Sequence, residues 1–376
     1  MVKKNQFLEL LRFIFCLIII IHHSAFVSGG ATFRFEYGGQ YAVEFFFLLT
    51  GAFAMKHLLS GNPKEDSMVY SLDYTLKKLK RIFPYACVGI VLCYAWYFVQ
   101  ADWSKGLKDT LWGRWNILFE LTFLPMSGVM DINLNNYLNS PLWYLSVVLL
   151  GLPLIMYMAI KLKDLYSHYL SWVLPLFMHA YLLQKYGTIA GWGTYTGSMY
   201  FGVIRGVADM MLGSFLYIFA NAISSGTLSF DKASLGNSNS DKKASKDSDK
   251  SFIFTIVEII FLAFSVYMFS SNVNEGYTYE FAVIVMALAI GISLSGKSYT
   301  SEIGNKFKGL GMVFSHLGKL SLPMYCLHWP VYRFVSEYGL GLSYLWAMII
   351  VLGINLALSE MLIYLFDNQR GLFYKK

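Results

Sequence analysis

Runs of about 20 mostly apolar residues recur ten times along this chain, and that is the length a helix needs to cross a bilayer. They fall at about 8–27, 41–59, 83–101, 141–160, 169–185, 202–221, 252–271, 280–296, 319–338 and 342–366. Inside hydrocarbon each backbone N–H and C=O must find its partner within the protein, so runs of this length predict helices. Only 14% of residues are charged, against about a quarter in soluble domains. The expected fold is therefore an all-α integral membrane protein, a bundle of about ten transmembrane helices.

The basic residues orient these helices. With the N-terminus in the cytoplasm, 22 of the 30 lysines and arginines fall on the cytoplasmic side, as the positive-inside rule requires. Both termini are then cytoplasmic, and the expected location is the cell membrane, multi-pass. The net charge of +7 reads as topology, so no nucleic-acid partner is expected. Trp115 to Met126 is apolar but only twelve residues long, and suits an interfacial or re-entrant segment better than a crossing. Residues 222–250, ending in DKKASKDSDK, read as a disordered cytoplasmic linker within a single membrane domain over 1–376. That linker divides the spans into six (about 8–221) and four (about 252–366). Ser67 to Phe83 reads either as an amphipathic helix on the inner leaflet or as a plain basic flank before the third span. No internal repeat is visible, which weighs against an inverted-repeat transporter. The four cysteines lie in apolar segments without CxxC spacing, so no disulfide framework is expected. No HExxH pattern occurs either, and no metal is expected. Lys3-Lys4 before an apolar run resembles a signal peptide, but Arg12 and the histidine pair do not belong in a signal h-region.

Those ionisable residues mark the first span. Arg12 stands near its start and His22-His23 near its end, with nine apolar residues between Arg12 and His22. Charge at membrane depth is costly and marks function by default. Eleven residues is close to three helical turns, so Arg12 and His23 share one face about 16 Å apart. An imidazole titrates near neutrality and is the usual general base. Glu44 comes to a similar depth on the second, antiparallel span, where a carboxylate could orient the His23 ring or simply form a buried ion pair. Arg12 reads as a cation at the cytoplasmic mouth, placed for a phosphorylated donor. Glu9 lies on its face, and Arg81 stands at the entry to the third span with Lys77, Lys78 and Lys80. His328 is a third intramembrane site. Pro330 leaves the Cys326 carbonyl without its helical donor, and His328 could satisfy it or another buried backbone group. Arg205 and Asp209, four residues apart, read as a structural ion pair on one helix. His57, His168, His179 and His316 read as interfacial or loop-borne.

These segments together resemble the integral-membrane acyltransferase family 3. Leu8-Glu9-Leu10-Leu11-Arg12 followed by His23 is similar to the family's opening, in which an Arg and a His are separated by ten residues. Val43-Glu44-Phe45-Phe46-Phe47-Leu48-Leu49-Thr50-Gly51 resembles its second span, with Glu44 standing for Asp and Thr50 for Ser. Arg81-Ile82-Phe83-Pro84, Leu142-Trp143-Tyr144-Leu145 and Leu327-His328-Trp329-Pro330 resemble its third, fourth and ninth. The likeness implies an O-acyltransferase that moves an acyl group, above all acetyl, from cytoplasmic acyl-CoA to a hydroxyl of an extracytoplasmic polysaccharide or lipid-linked glycan. It implies His23 and Glu44 as catalytic residues and Arg12 and Arg81 as donor-binding residues, with His22, Thr50, Trp143 and His328 as further candidates. The expected partners are acyl-CoA, the glycan acceptor and the bilayer, and an oligomer is compatible with them. The competing readings are a transporter or flippase, which would move its substrate unchanged, and a structural partner in an envelope assembly.

Overall fold

A computed structural model describes residues 5–27, 38–61, 66–101, 117–129, 137–225, 240–271, 276–338 and 341–373. Among them the chain forms twelve α-helices and no strand, only one isolated bridge between Tyr195 and Tyr200. The helices are α1 (Gln6–His22), α2 (Gly39–Ser60), α3 (Ser67–Val99), α4 (Ile117–Leu121), α5 (Trp143–Leu165), α6 (Ser171–Tyr186), α7 (Phe201–Ser225), α8 (Ser240–Ser270), α9 (Gly276–Ser295), α10 (Tyr299–Lys306), α11 (Lys308–Tyr338) and α12 (Tyr344–Phe373). Among the described residues, eight helical segments are long and apolar enough to cross a membrane.

The expected spans map onto these helices with informative differences. The fourth and fifth lie in one continuous apolar segment, Ser140–Tyr186. It bends at Lys163 (φ 34°, ψ −102°) and passes through a π turn, Tyr166–Leu170. The ninth lies in α11, which is not among the eight: Lys319, His328, Arg333 and Glu337 dilute its apolar run. Ser67–Phe83 does not form a separate surface helix. It is the first half of α3, which runs through Pro84 without ending. Asp66 caps this helix by accepting from the amides of Met68 (2.8 Å) and Val69 (3.2 Å), and those donors hold its carboxyl below the usual range. Part of the expected linker is also helical, since α7 runs to Ser225 and α8 begins at Ser240. Lys and Ala are good helix formers. Residues 226–239 lie outside those described. Trp115–Met126 makes no crossing: α4 has five residues and a 3₁₀ turn follows at Pro125–Ser127.

The bundle is organised by α2 and α7, which pack together along their length. Their closest approach is reciprocal. A Cβ on Gly51 would lie 1.8 Å from the Met210 carbonyl oxygen, and one on Gly213 would lie 2.0 Å from that of Leu48. Small residues let membrane helices pack backbone to backbone, and here the obstacle is main chain that cannot rotate away. Gly51→Ala is therefore expected to cost about 3 kcal/mol, at the upper end of overpacking, read as a lower thermal midpoint in detergent. Gly353, which has nothing within 4 Å of its would-be Cβ, should accept Ala without loss. On the other side α11 packs against α1, α3 and α12. This places the second half of α11 beside the end of α1.

Candidate active site

Three imidazoles meet where α1 ends. The His23 ring lies 4.9 Å from that of His22 and is stacked on His328 (5.2 Å, 24°). Trp329 closes the group edge-on at 5.0 Å from His23. Among the described residues the His23 ring makes these ring contacts and accepts no hydrogen bond, so its basic nitrogen is available.

The prolines of α11 place His328. Pro330 has no N–H for the Cys326 carbonyl. That oxygen accepts instead from Asn139 Nδ2 (3.0 Å), which comes from the loop before α5. The loop is held by the carboxylate of Glu120, which takes the amides of Leu138 (2.5 Å) and Asn139 (3.0 Å). His328 itself bonds the Tyr325 carbonyl through Nδ1 (2.6 Å). A carbonyl can only accept, so Nδ1 carries the proton and Nε2 presents a lone pair. That Nε2 is buried and has no hydrogen-bond partner.

A cavity of about 310 Å³ leads towards this group. Arg12, Lys78 and Arg81 line one end. Ile19, two turns after Arg12 on α1, also lines it, so the cavity extends about 10 Å along that helix away from the cations. Thr50, Tyr144 and Tyr325 complete its wall. Ile19 is one turn before His23, and the Tyr325 ring is 5.8 Å from that of His328. The hydroxyls of Thr50 and Tyr144 are 2.6 Å apart. Tyr144 donates to the Phe46 carbonyl (3.1 Å), which leaves Thr50 to donate to Tyr144. At the basic end Glu9 pairs with Arg12 (3.0 Å). Of the four basic residues before the third expected span, Lys78 and Arg81 reach the cavity. Lys77 instead pairs with Asp73 (2.6 Å) on the surface.

Glu44 does not join His23. The fully buried Glu44 carboxylate takes Arg205 Nε at 2.6 Å and Nη2 at 2.5 Å, and Tyr279 Oη donates to it at 3.3 Å. The guanidinium also donates to the carbonyls of Gln40 (2.7 Å), Ala190 (2.8 Å) and Gly191 (3.1 Å). A permanent cation with five donors outcompetes a neutral imidazole for a buried carboxylate. The same node claims Trp143, whose ring lies 5.9 Å from the Arg205 Cζ and stacks on Trp192 at 5.8 Å. Nor does Arg205 pair with Asp209 on its own helix. Asp209 lies 3.4 Å from His179 Nε2, while His179 Nδ1 bonds Glu280 at 3.0 Å. His179 is thus buried between two carboxylates and is not interfacial. Its position within the apolar run WVLPLFMHAYLL is the signal that reveals it. Lys78 has a signal too: Ser71, Thr75, Lys78, Ile82 and Tyr85 recur at helical spacing along the inner face of α3.

The chemistry and the fold define a class, a multi-pass helical membrane protein whose basic-mouthed internal cavity ends beside free imidazole nitrogens. The family model for the acyltransferase domain Acyl_transf_3 matches residues 5–364, and the chain belongs to that family of membrane acyltransferases. No curated protein and no solved structure matches it.

Proposed function

We propose that this protein is an O-acetyltransferase of the cell membrane that uses acetyl-CoA, or another acyl-CoA, to modify a hydroxyl of an extracytoplasmic polysaccharide or lipid-linked glycan. In this reading the chain crosses ten times with both ends in the cytoplasm. The bend at Lys163 separates two crossings, and α11 supplies another. The single observation that carries the reading is the cavity, which joins three cations to the neighbourhood of two imidazoles. The donor's phosphates lie against Arg12, Lys78 and Arg81, and its acyl arm runs along Thr50 and Tyr144. A thioester at the far end is then about one helical turn, roughly 5 Å, below His23. His23 takes the proton of the acceptor hydroxyl as its oxygen attacks the thioester carbonyl. The new C–O bond forms, the C–S bond breaks, and the imidazolium returns the proton to the departing thiolate. His328 supports the His23 ring by stacking. Glu44 stands outside this chemistry as the partner of Arg205. Membership in an acyltransferase family does not favour a transporter or flippase.

The test separates the nucleotide from the acyl group. Arg12→Ala and Lys78→Ala are each expected to raise the KM for acetyl-CoA about tenfold, the effect of one lost charge-assisted hydrogen bond. The KM for acetyl-pantetheine, which lacks the nucleotide phosphates, should stay unchanged. Equal loss with both donors would remove the cavity from the donor path. Mass spectrometry of envelope glycans from cells with and without the gene identifies the product.

A further inference from the structure

A second recess opens on the other side of the histidine group. It lies between α3, α11 and α12, has a volume of about 450 Å³, and is lined by Leu92, Trp96, Pro330, Phe334, Tyr338 and Leu358 among others. That volume is within the range of ligand pockets, about 300–1,000 Å³, and its walls are almost wholly apolar. Pro330, Phe334 and Tyr338 follow one another at four-residue spacing, so the recess tracks α11 for about 12 Å. It runs from beside Trp329 to the end of the helix. Trp329, whose ring lies 5.0 Å from that of His23, directly precedes the lining residue Pro330.

Two charged residues of α11 flank this recess, Arg333 and, one turn later, the exposed Glu337. Arg333 is half-buried one turn after Trp329, its Cζ 5.9 Å from the Trp329 ring. Its field also reaches Cys93, next to the groove-lining Leu92. Its Nε is buried without a hydrogen-bond partner, and among the described residues no carboxylate pairs with it. Glu120, the acid whose field also falls on Cys93, is engaged by the Leu138 and Asn139 amides. An unpaired arginine held beside an apolar trench at membrane depth complements an anion carried on a lipid chain, and a guanidinium matches phosphate geometry.

We propose that this recess and Arg333 form the acceptor site: the trench holds the chain of a polyprenyl-phosphate-linked glycan, and Arg333 holds its phosphate. The first sugars then lie across Trp329 from the phosphate, at the His23 ring. The proposal rests on the acyl-transfer reading for the purpose of the site, and its test does not depend on turnover. Decaprenyl monophosphate is titrated into the purified full-length protein in detergent, and binding is followed by fluorescence of Trp96 and Trp329 and by native mass spectrometry. Saturable one-to-one binding is expected. Arg333→Gln should weaken it at least tenfold, Arg333→Lys should retain only part of it, and Ala95→Trp, at a residue that lines the trench, should abolish it. His23→Ala should bind the lipid normally while losing transfer, so failure of the acyl-transfer reading leaves this result intact. Unchanged affinity in Arg333→Gln, or equal competition by phosphatidylglycerol, would reduce the trench to ordinary lipid contact and overturn the proposal.

Discussion

His23→Ala is expected to lower acyl transfer by about 10²–10⁴-fold, the usual contribution of a positioned general base, while the protein remains inserted and abundant. The measurement is transfer of radiolabel from acetyl-CoA to envelope glycan in membranes carrying each variant. The expectation follows from the site. His23 faces two rings and an indole but accepts no hydrogen bond among the described residues, so its removal takes away a base without leaving a buried partner unsatisfied. His328→Gln, which keeps a group able to donate to the Tyr325 carbonyl, should cost less. Full activity in His23→Ala would assign the proton to another group, and the free Nε2 of His328 would be the next to examine.

Arg205→Met is expected to destabilise the bundle by about 3–5 kcal/mol, because it leaves the Glu44 carboxylate buried and uncompensated. Three carbonyls that the guanidinium now serves would also lose their donor. The variant should show a lower thermal midpoint and lower abundance in the membrane. The double variant Arg205→Met with Glu44→Gln should recover part of the loss, because the unpaired charge is then gone. Specific activity per folded molecule should fall far less than in His23→Ala. A stable Arg205→Met protein without activity would instead return Glu44 and Arg205 to the reaction.

These two residues mark how far the sequence reaches. Helical spacing predicts Arg12 and His23 on one face; the structure sets Arg12 on the cavity, while His23 opens a 3₁₀ turn past the end of α1 and is not among the cavity's lining residues. A proline at 330 implies an orphan carbonyl at Cys326, and that carbonyl is indeed served from outside the helix. Periodicity says nothing about which helix lies opposite, however. Glu44 had two neighbours of the right chemistry, and only the packing of α2 on α7 selects Arg205 over His23. The same limit hid His179, whose carboxylates come from two other helices. Pro84 misled in a different way. It reads as the start of a span, yet membrane helices tolerate proline when neighbours serve the freed groups, and α3 continues through it. The division of Ser140–Tyr186 was legible as well, since the fourth and fifth expected spans end and begin on either side of Lys163, where the structure bends; the π turn at Tyr166–Leu170 was not.

The clasp formed by Glu120 and Asn139 has one more consequence. It ties a rim segment, the turn before α5, to the Cys326 carbonyl of α11 two residues before His328, so that rim and the imidazole group are mechanically linked. The coupling runs through two side chains and a few amides. Neighbouring positions in that rim that do not touch these groups are therefore at liberty to diversify without loosening the imidazole group underneath.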